Sequence, residues 1–195
     1  MNSPIYLASR SPRRAELLQQ IGVQFSVLPP DVDESELEHE SPADYVLRLA
    51  KTKAEACMAV LVQQNKAIRP VLAADTTVSI DRKILGKPQD EADAHAMLTL
   101  MSGKRHQVLT ALAIATPQGI VTSLSVTQVE MAVLTANEIE TYIRSGEPFD
   151  KAGAYGIQGL ASTFIKRIEG SYSGVMGLPI YETAQLLRSA GIRVL

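Results

Sequence analysis

Tyr6-Leu-Ala-Ser-Arg-Ser-Pro-Arg-Arg-Ala-Glu-Leu-Leu-Gln-Gln-Ile-Gly22 is the stretch of the chain on which the fold depends most. It predicts a buried strand over residues 5–8, then a tight polar loop, and then a helix. Ser11 has the side chain of an N-cap, and Pro12 suits the first helical position, where its missing N–H is not needed. Apolar residues recur at helical spacing until Gly22, where we expect the helix to end.

The start of this helix concentrates positive charge and hydroxyl groups. Ser9, Arg13 and Arg14 are placed near backbone N–H groups that have no partner within the helix and carry partial positive charge. A helix end of this kind binds phosphate oxygens, to which arginine also donates paired hydrogen bonds. The alternative is a basic turn that faces only solvent, since the stretch contains no fixed phosphate-binding motif.

The composition bounds the size of the protein and its partners. A chain of 195 residues, 46% of them hydrophobic, can form one sizeable core, either as one domain or as a large domain with a small lobe. Nineteen basic and twenty-one acidic residues give a formal net charge of −2. Because this charge is close to zero, it supplies no general attraction to nucleic acid or to an anionic membrane. Any basic binding site must be local.

The sequence also indicates a compartment. No apolar stretch reaches the roughly 18 residues of a membrane span, and no leader pattern opens the chain, which predicts a soluble cytoplasmic protein. The single Cys57 excludes an intrachain disulfide and fits a reducing environment. The histidines lack metal-ligand spacing, so we expect surface or capping roles for His39, His95 and His106.

Strand and helix signals alternate along the rest of the chain. Residues 71–74 are a continuous apolar run, which is typical of a strand covered on both faces in a parallel or mixed α/β sheet. Short connections predict antiparallel pairing for the later strands. Further strands are expected over residues 23–28, 105–115, 120–133 and 164–168, and further helices over residues 41–64, 90–103, 135–144 and 179–189.

Two ionisable residues interrupt predicted apolar surfaces. Lys53 projects into the middle of the apolar face of the helix over residues 41–64. Its ammonium therefore either extends along the surface to solvent or meets an anion in a cleft. Asp75 follows the apolar run at the exit of that strand, where open α/β sheets carry functional side chains. The alternative for Asp75 is a turning or capping role.

Three more residues have chemistry suited to a ligand. Lys87 lies between Gly86 and Pro88, close in sequence to the strand that bears Asp75. Glu34 lies in an acidic loop after a strand and can deliver one carboxylate to a metal, although most charge runs are solvated loops. Gln158 lies in a glycine-rich loop and can both donate and accept, which complements the N–H and C=O edge of thymine or uracil.

Together these residue types suit a protein that handles a polyphosphate. Cations neutralise and position phosphates, a divalent metal bridges their oxygens, and a carboxylate orients or deprotonates the attacking water. A nucleophilic triad is poorly supported, because G-x-S-x-G does not occur and the histidines have no evident serine or cysteine partner.

Several motifs, in order, resemble the Maf family of nucleoside triphosphate pyrophosphatases, first associated with septum formation. The resemblance covers about residues 3 to 190. It rests on Ser9-Arg-Ser-Pro-Arg-Arg14, the helix bearing Lys53, Ala74-Asp75-Thr-Thr-Val78, Gly86-Lys87-Pro88, and Asp150-Lys-Ala-Gly-Ala-Tyr-Gly-Ile-Gln158-Gly159.

The resemblance implies an α/β fold similar to the inosine triphosphatase type, with an elongated mixed sheet, flanking helices, and two lobes around a central cleft. It implies hydrolysis of a nucleoside triphosphate to the monophosphate and pyrophosphate, dependent on Mg²⁺ or Mn²⁺, and a homodimer that the family frequently forms. Carried over position by position, Asp75 matches the proton acceptor and a metal ligand, and Glu34 matches a second metal ligand. The phosphate-contacting positions match Ser9, Arg14, Lys53 and Lys87.

Three further positions separate the branches of the family. Arg13, Thr76 and Gln158 are similar to the branch that acts on dTTP and UTP, which implies a house-cleaning pyrophosphatase for these and modified pyrimidine triphosphates. Two alternatives stay open from the sequence: a purine or 7-methyl-GTP pyrophosphatase with the same phosphate apparatus, and a nucleotide-binding regulator of cell division without turnover.

Overall fold

A computed structural model describes residues 4–194 of the chain. The strands are β1 (Ile5–Leu7), β2 (Phe25–Val27), β3 (Val71–Ile80), β4 (Lys83–Leu85), β5 (Arg105–Thr116), β6 (Gly119–Met131) and β7 (Ile165–Glu169). The helices are α1 (Pro12–Gln20), α2 (Pro42–Gln63), α3 (Glu91–Met101), α4 (Ala136–Arg144), α5 (Tyr172–Val175) and α6 (Ile180–Ser189). Short 3-10 turns span Glu147–Asp150, Ala152–Ala154 and Leu160–Phe164.

Local capping explains where the longer helices begin. Ser11, Ser41, Asp90 and Thr135 each accept a hydrogen bond from the backbone N–H three residues later, at the starts of α1, α2, α3 and α4. Each side chain satisfies one of the N–H groups that a helix start leaves without a partner. The helix starts predicted from these residues are therefore confirmed, whereas the short α5 and the three 3-10 turns were not predicted.

The sheet has seven strands and mixed pairing. Its order is β2-β1-β3-β5-β6-β7, and β4 pairs with β3 beside this path. The pairs β2-β1 and β1-β3 are parallel, whereas β3-β5, β5-β6 and β6-β7 are antiparallel. This arrangement confirms the prediction of an α/β fold with a mixed sheet and flanking helices.

One edge of β3 has a gap between its two partners. Strand β1 pairs with β3 at Val71 and Leu72, and β4 pairs with it only from Val78 to Ile80. Asp75 lies in this gap, in the middle of a continuous ten-residue strand. The prediction that Asp75 lies at the exit of its strand is therefore wrong. Asp75 lies three residues after Leu72, where the part of β3 that has a parallel neighbour ends, and its functional role stays a prediction.

The hydrophobic core is split on one face of the sheet. One cluster packs Leu72 and Leu112 against α1 and α6, and another packs Val78 and Val108 against α3 and α4. Because side chains alternate between faces along a strand, Thr76 and Thr110 lie on the same face, between the two clusters. A third cluster packs helix α2 on the opposite face. The polar strip between the first two clusters provides room for a cleft.

His106 corrects one expectation from the sequence. Its side chain is buried, with 2% exposed, and its Nε2 lies 2.7 Å from Tyr155 Oη. Among the described residues, no hydrogen-bond partner reaches its Nδ1. The expected surface or capping role is wrong for His106, because it lies on an inward-facing position of β5. His39 and His95 are exposed, as expected.

Burial gives His106 a measurable effect on stability. Desolvation lowers its pKa from 6.5 to about 4, so the unfolded chain binds this proton more readily than the folded protein. The stability contribution is complete above pH 6.5 and is lost as the pH falls toward the folded-state pKa. Between about pH 7 and about pH 5, we expect wild type to lose about 2 kcal/mol through this group, measured as the free energy of unfolding in urea.

The matched variants are His106→Gln and His95→Gln. The first should remove this part of the pH dependence, and the second, at an exposed position of α3, should keep it. Equal pH dependence in wild type and His106→Gln would contradict the assignment.

Within residues 4–194, no helix combines the length and the apolar character that crossing a membrane requires.

Candidate active site

A cleft of about 650 Å³ opens beside the gap in the edge of β3. The start of α1, the acidic loop over residues 31–40, helix α2 and strand β3 all contribute to its wall. The other walls come from the segment before α3, the loop over residues 147–159 and the end of α5. Every residue predicted to bind substrate or metal or to act in catalysis lines it: Ser9, Arg13, Arg14, Glu34, Lys53, Asp75, Thr76, Lys87 and Gln158.

The planar guanidinium of Arg14 is held by three hydrogen bonds. Its Nε donates to the Gly177 carbonyl at 2.8 Å, Nη1 to Ser9 Oγ at 3.2 Å, and Nη2 to Thr76 Oγ1 at 3.0 Å. Burial lowers the pKa of Arg14, and the negative charges of Asp75 and Glu34 oppose this. Since a guanidinium starts from so high a pKa, it stays protonated and brings a fixed positive charge to the cleft.

Thr76 completes a hydrogen-bond chain behind Arg14. Thr110 Oγ1 donates to the Gly174 carbonyl at 2.8 Å and lies 2.9 Å from Thr76 Oγ1. Because the single proton of Thr110 is used on that carbonyl, the Thr76 hydroxyl donates to Thr110 and accepts from Arg14. The chain therefore fixes the direction of the Arg14 guanidinium through Thr76.

Lys53 joins two carboxylates at the other wall of the cleft. Its Nζ lies 2.6 Å from Asp75 Oδ1 and 2.7 Å from Glu34 Oε1. The exposed fractions of the side chains are 12% for Lys53, 9% for Asp75 and 55% for Glu34. The Lys53 ammonium therefore meets anions in the cleft instead of extending to solvent, and the Lys53–Asp75 pair is largely withdrawn from water.

The environment of Asp75 raises its pKa above the ordinary value. Desolvation is the main cause, and the positive charges of Lys53 and Arg14 oppose it. A carboxylate whose pKa lies closer to neutrality is a better proton acceptor than an ordinary one. The geometry thus gives the cleft a carboxylate that is fixed by a lysine and partly shielded from solvent.

Helix α2 also fixes the acidic loop that carries Glu34. Tyr45 Oη donates to the Glu34 carbonyl at 2.9 Å. Arg48 donates to both carboxylate oxygens of Glu40, at 2.6 and 2.7 Å, and to the Ser35 carbonyl at 2.9 Å. The loop is consequently tied to the first turns of α2 at Glu34 itself and at two positions after it, which explains how a solvated acidic segment can present one particular carboxylate.

The remaining predicted residues of the cleft are more exposed to solvent. Lys87 and Gln158 are exposed, and Arg13 is partly buried. Gly153 N donates to the Gly86 carbonyl at 2.9 Å, so the residue before Lys87 is joined to the glycine-rich loop that carries Gln158.

Several residues of the cleft were not identified from the sequence. Gly177 has a φ of +108°, and a Cβ there would lie 3.4 Å from Arg14 Nε and 3.6 Å from Thr76 Oγ1. The glycine spacing of Ser173-Gly-Val-Met-Gly177 is a signal that could have indicated this close approach of the backbone. Glu147 and Lys151 also line the cleft. Glu147 lies in a charged, proline-containing segment that has no distinguishing pattern, and Lys151 lies within the motif that begins at Asp150 but was given no role there.

The carboxylates of the cleft are suited to a divalent metal only with help from a ligand. Within residues 4–194, no three side chains of His, Cys, Asp or Glu come together as a metal site. Asp75 and Glu34 nevertheless share one cation, the Lys53 ammonium. Mg²⁺ is commonly bound by one or two carboxylates together with substrate phosphates and water, so this pair fits such an ion when phosphate oxygens supply the other ligands.

The cleft beside this mixed sheet combines a helix start, an arginine, two lysines and a buried carboxylate. These groups define a class of protein suited to phosphate-containing ligands. The chain belongs to the Maf family: the model described as "Maf-like protein" matches residues 4–190.

Curated relatives share most of the sequence. A protein of Methylobacillus flagellatus named dTTP/UTP pyrophosphatase is 59% identical over 97% of this chain and 94% of its own. Proteins with the same name from Bordetella avium and Nitrosomonas europaea are 54% and 52% identical, over 96% and 97% of this chain and 96% of each relative.

Proposed function

We propose that this chain is a dTTP/UTP pyrophosphatase, which cleaves the bond between the α-phosphorus and the bridging oxygen to release the monophosphate and pyrophosphate. The observation that carries the proposal is the buried Lys53–Asp75 pair, 2.6 Å long, beside the fixed guanidinium of Arg14. The names of the relatives, which match nearly the whole chain, support the substrate. Modified pyrimidine triphosphates, which keep the same base edge, belong to the proposed substrates.

Asp75 is the proposed general base. Its carboxylate takes a proton from water as the water oxygen attacks the α-phosphorus, and pyrophosphate leaves with the electron pair of the broken P–O bond. Lys53 keeps Asp75 ionised and oriented through its hydrogen bond. Arg14, Lys87 and the helix start at Ser9 stabilise the negative charge that moves onto the leaving group.

The same residues would hold a divalent metal. Asp75 and Glu34 are the proposed protein ligands, and we propose Mg²⁺ or Mn²⁺ as the metal. When bound, the metal supplies charge neutralisation on the phosphate oxygens and polarises the reacting phosphorus centre.

The function is tested by identifying products. Purified protein with dTTP and either Mg²⁺ or Mn²⁺ should form dTMP and pyrophosphate, and UTP should form UMP. Release of orthophosphate and dTDP would contradict the proposed bond, and preference for ITP, XTP or 7-methyl-GTP in the same panel would contradict the pyrimidine assignment. Tight binding without hydrolysis across both metals would contradict the enzymatic function and favour a nucleotide-binding regulator.

Gln158 is the proposed contact to the base. Its carboxamide both donates and accepts, as the imide edge of thymine and uracil requires, and Gln158→Glu replaces the donor with a second acceptor. We expect kcat/KM for dTTP and UTP to fall by about 10-fold to 10²-fold, because the base carbonyl oxygen loses its donor and meets a negatively charged oxygen instead. Gln118→Glu, in the exposed β5-β6 turn, is the matched control and should keep wild-type rates. Unchanged rates in Gln158→Glu would show that Gln158 does not read the base.

The compartment and the oligomeric state of the enzyme are also proposed. We place it in the cytoplasm, where nucleoside triphosphates and reduced Cys57 are both expected, and we propose a homodimer of a single two-lobed domain over residues 1–195. Light scattering of the purified protein tests the dimer directly.

A further inference from the structure

We propose that Glu147 is a positioning residue that sets the base selectivity of the cleft, by fixing the loop that carries Gln158. The inference deepens the proposed function and rests on it. Glu147 is remote from the phosphate-binding residues in sequence, and none of the motifs that resemble the family includes it.

The Glu147 carboxylate ties the loop at its far end. Its Oε2 accepts from the backbone N–H of Leu160 at 2.8 Å, and its Oε1 accepts from that of Ala161 at 3.4 Å. These N–H groups open the 3-10 turn Leu160–Phe164, two residues after Gln158. One carboxylate therefore supplies the hydrogen bonds that this turn cannot make within itself, and holds the chain directly after Gln158.

Tyr142 ties the same loop at its near end. Its Oη donates to Glu147 Oε1 at 2.9 Å and accepts from Gly156 N at 3.2 Å. Burial, together with the hydrogen bond to Glu147, raises the pKa of Tyr142, so the phenol keeps the proton that it donates. The loop is thus closed by one network, from Gly156 through Tyr142 and Glu147 to Leu160, and Gln158 lies between its two ends.

The loop also lies in direct contact with the side chains that hold it. A Cβ at Gly159 would overlap Glu147 Oε2, and a Cβ at Gly156 would lie 2.5 Å from Lys151 Cε. Lys151 Nζ in turn donates to the Glu147 carbonyl at 2.8 Å. The two glycines are therefore needed for the backbone to rest on Glu147 and Lys151, and the position of the backbone depends on these side chains.

The consequence for selectivity follows from the exposure of Gln158. Its side chain is exposed, so protein packing does not hold it, and its reach into the cleft is set by the loop backbone. Discrimination by hydrogen bonds requires donors and acceptors fixed to within a fraction of an ångström, and a misplacement of about 1 Å lowers rates by as much as 10²-fold. Loosening the loop should therefore impair reading of the base more than binding of the phosphates.

The test compares UTP with CTP, whose base edge has the opposite order of donor and acceptor. Glu147→Gln replaces one carboxylate oxygen with a donor, and Tyr142→Phe removes the hydroxyl. We expect each to lower the ratio of kcat/KM for UTP over CTP by about 10-fold. Inhibition by inorganic triphosphate, which has no base, should stay at the wild-type level. The double variant should be no worse than either single variant, because both act on one network.

Glu140→Gln, on the exposed face of α4, is the matched control and should keep the wild-type ratio. Glu147 variants that lower the rates for UTP and CTP equally, or that weaken inhibition by inorganic triphosphate, would show a merely structural role and overturn the inference. Wild type that hydrolyses CTP as well as UTP would overturn it too. Wild type that hydrolyses no triphosphate would contradict the proposed function itself, and the inference would fall with it.

Discussion

Asp75→Asn should lower kcat for dTTP by roughly 10²-fold or more. The carboxamide keeps the shape of the side chain and still accepts from Lys53 Nζ, which lies 2.6 Å from Asp75 Oδ1 in wild type. It cannot accept a proton at neutral pH, so water attacking the α-phosphorus loses its base. The same change weakens the proposed binding of metal by this side chain, and both effects lower the rate. Initial rates with dTTP at saturating metal measure the loss.

The fold should survive this substitution. Asp75 lies in the middle of β3, whose backbone ladder to β5 does not depend on the carboxylate, so circular dichroism should match wild type. Asp81→Asn is the matched control. It makes the same chemical change at the β3-β4 turn, where φ is +50°, a conformation that asparagine tolerates well. Wild-type turnover in Asp75→Asn would exclude Asp75 as the base.

Lys53→Met should be the second large loss, with kcat/KM for dTTP reduced by roughly 10²-fold. Methionine retains much of the length of the stem but removes the charge that faces both Asp75 and Glu34. Phosphate oxygens lose a cation, and the buried Asp75 loses its closest positive neighbour. The matched control is Lys51→Met on the same helix, since Lys51 is exposed and pairs with Glu55 at 3.8 Å.

The same variant makes a prediction about pH. Asp75 must be ionised to act as a base, so kcat/KM falls as the pH drops through its pKa. Burial already raises that pKa above 3.8, and Lys53 opposes the increase. Removing Lys53 should therefore move the acid limb of the profile to higher pH, whereas Lys51→Met should leave it in place. An acid limb that does not move, or that moves to lower pH, would contradict the coupling of Lys53 to Asp75.

The sequence predicted local structure well because the signals were local. Each expected helix is preceded by a residue with a capping side chain, and each of these side chains caps the helix that follows it: Ser11, Ser41, Asp90 and Thr135. The mixed sheet followed from the apolar run of β3 and from the short connection between β5 and β6. These features depend on neighbouring residues, for which propensity and spacing are informative.

Features that depend on distant parts of the chain were harder to predict. The gap at Asp75 exists because β1 ends early and β4 begins late, and strand lengths of this kind are set by pairing partners and not by the strand itself. Gly177 contacts Arg14 across 163 positions of sequence. His106 is covered by Tyr155, 49 positions later in the chain, which no spacing of histidines could reveal.

The candidate site shows the same division. The chemistry of Arg14, Lys53 and Asp75 could be named from residue types and from resemblance to a family, since cations and a carboxylate suit a triphosphate. The contacts that position the site residues could not be predicted from the sequence, because Thr110 and Glu147 act through other residues and carry no motif of their own. Positioning residues of this kind become recognisable only when distances are known.

Hydrolysis of dTTP in water enriched in oxygen-18 tests the central claim most directly, because it reports which phosphorus the activated water attacks. Mass spectrometry of the products should find the heavy oxygen in dTMP and none in pyrophosphate, as expected when a base beside the buried Lys53 directs water to the α-phosphorus. Heavy oxygen in pyrophosphate, or products of dTDP and orthophosphate, would contradict the account.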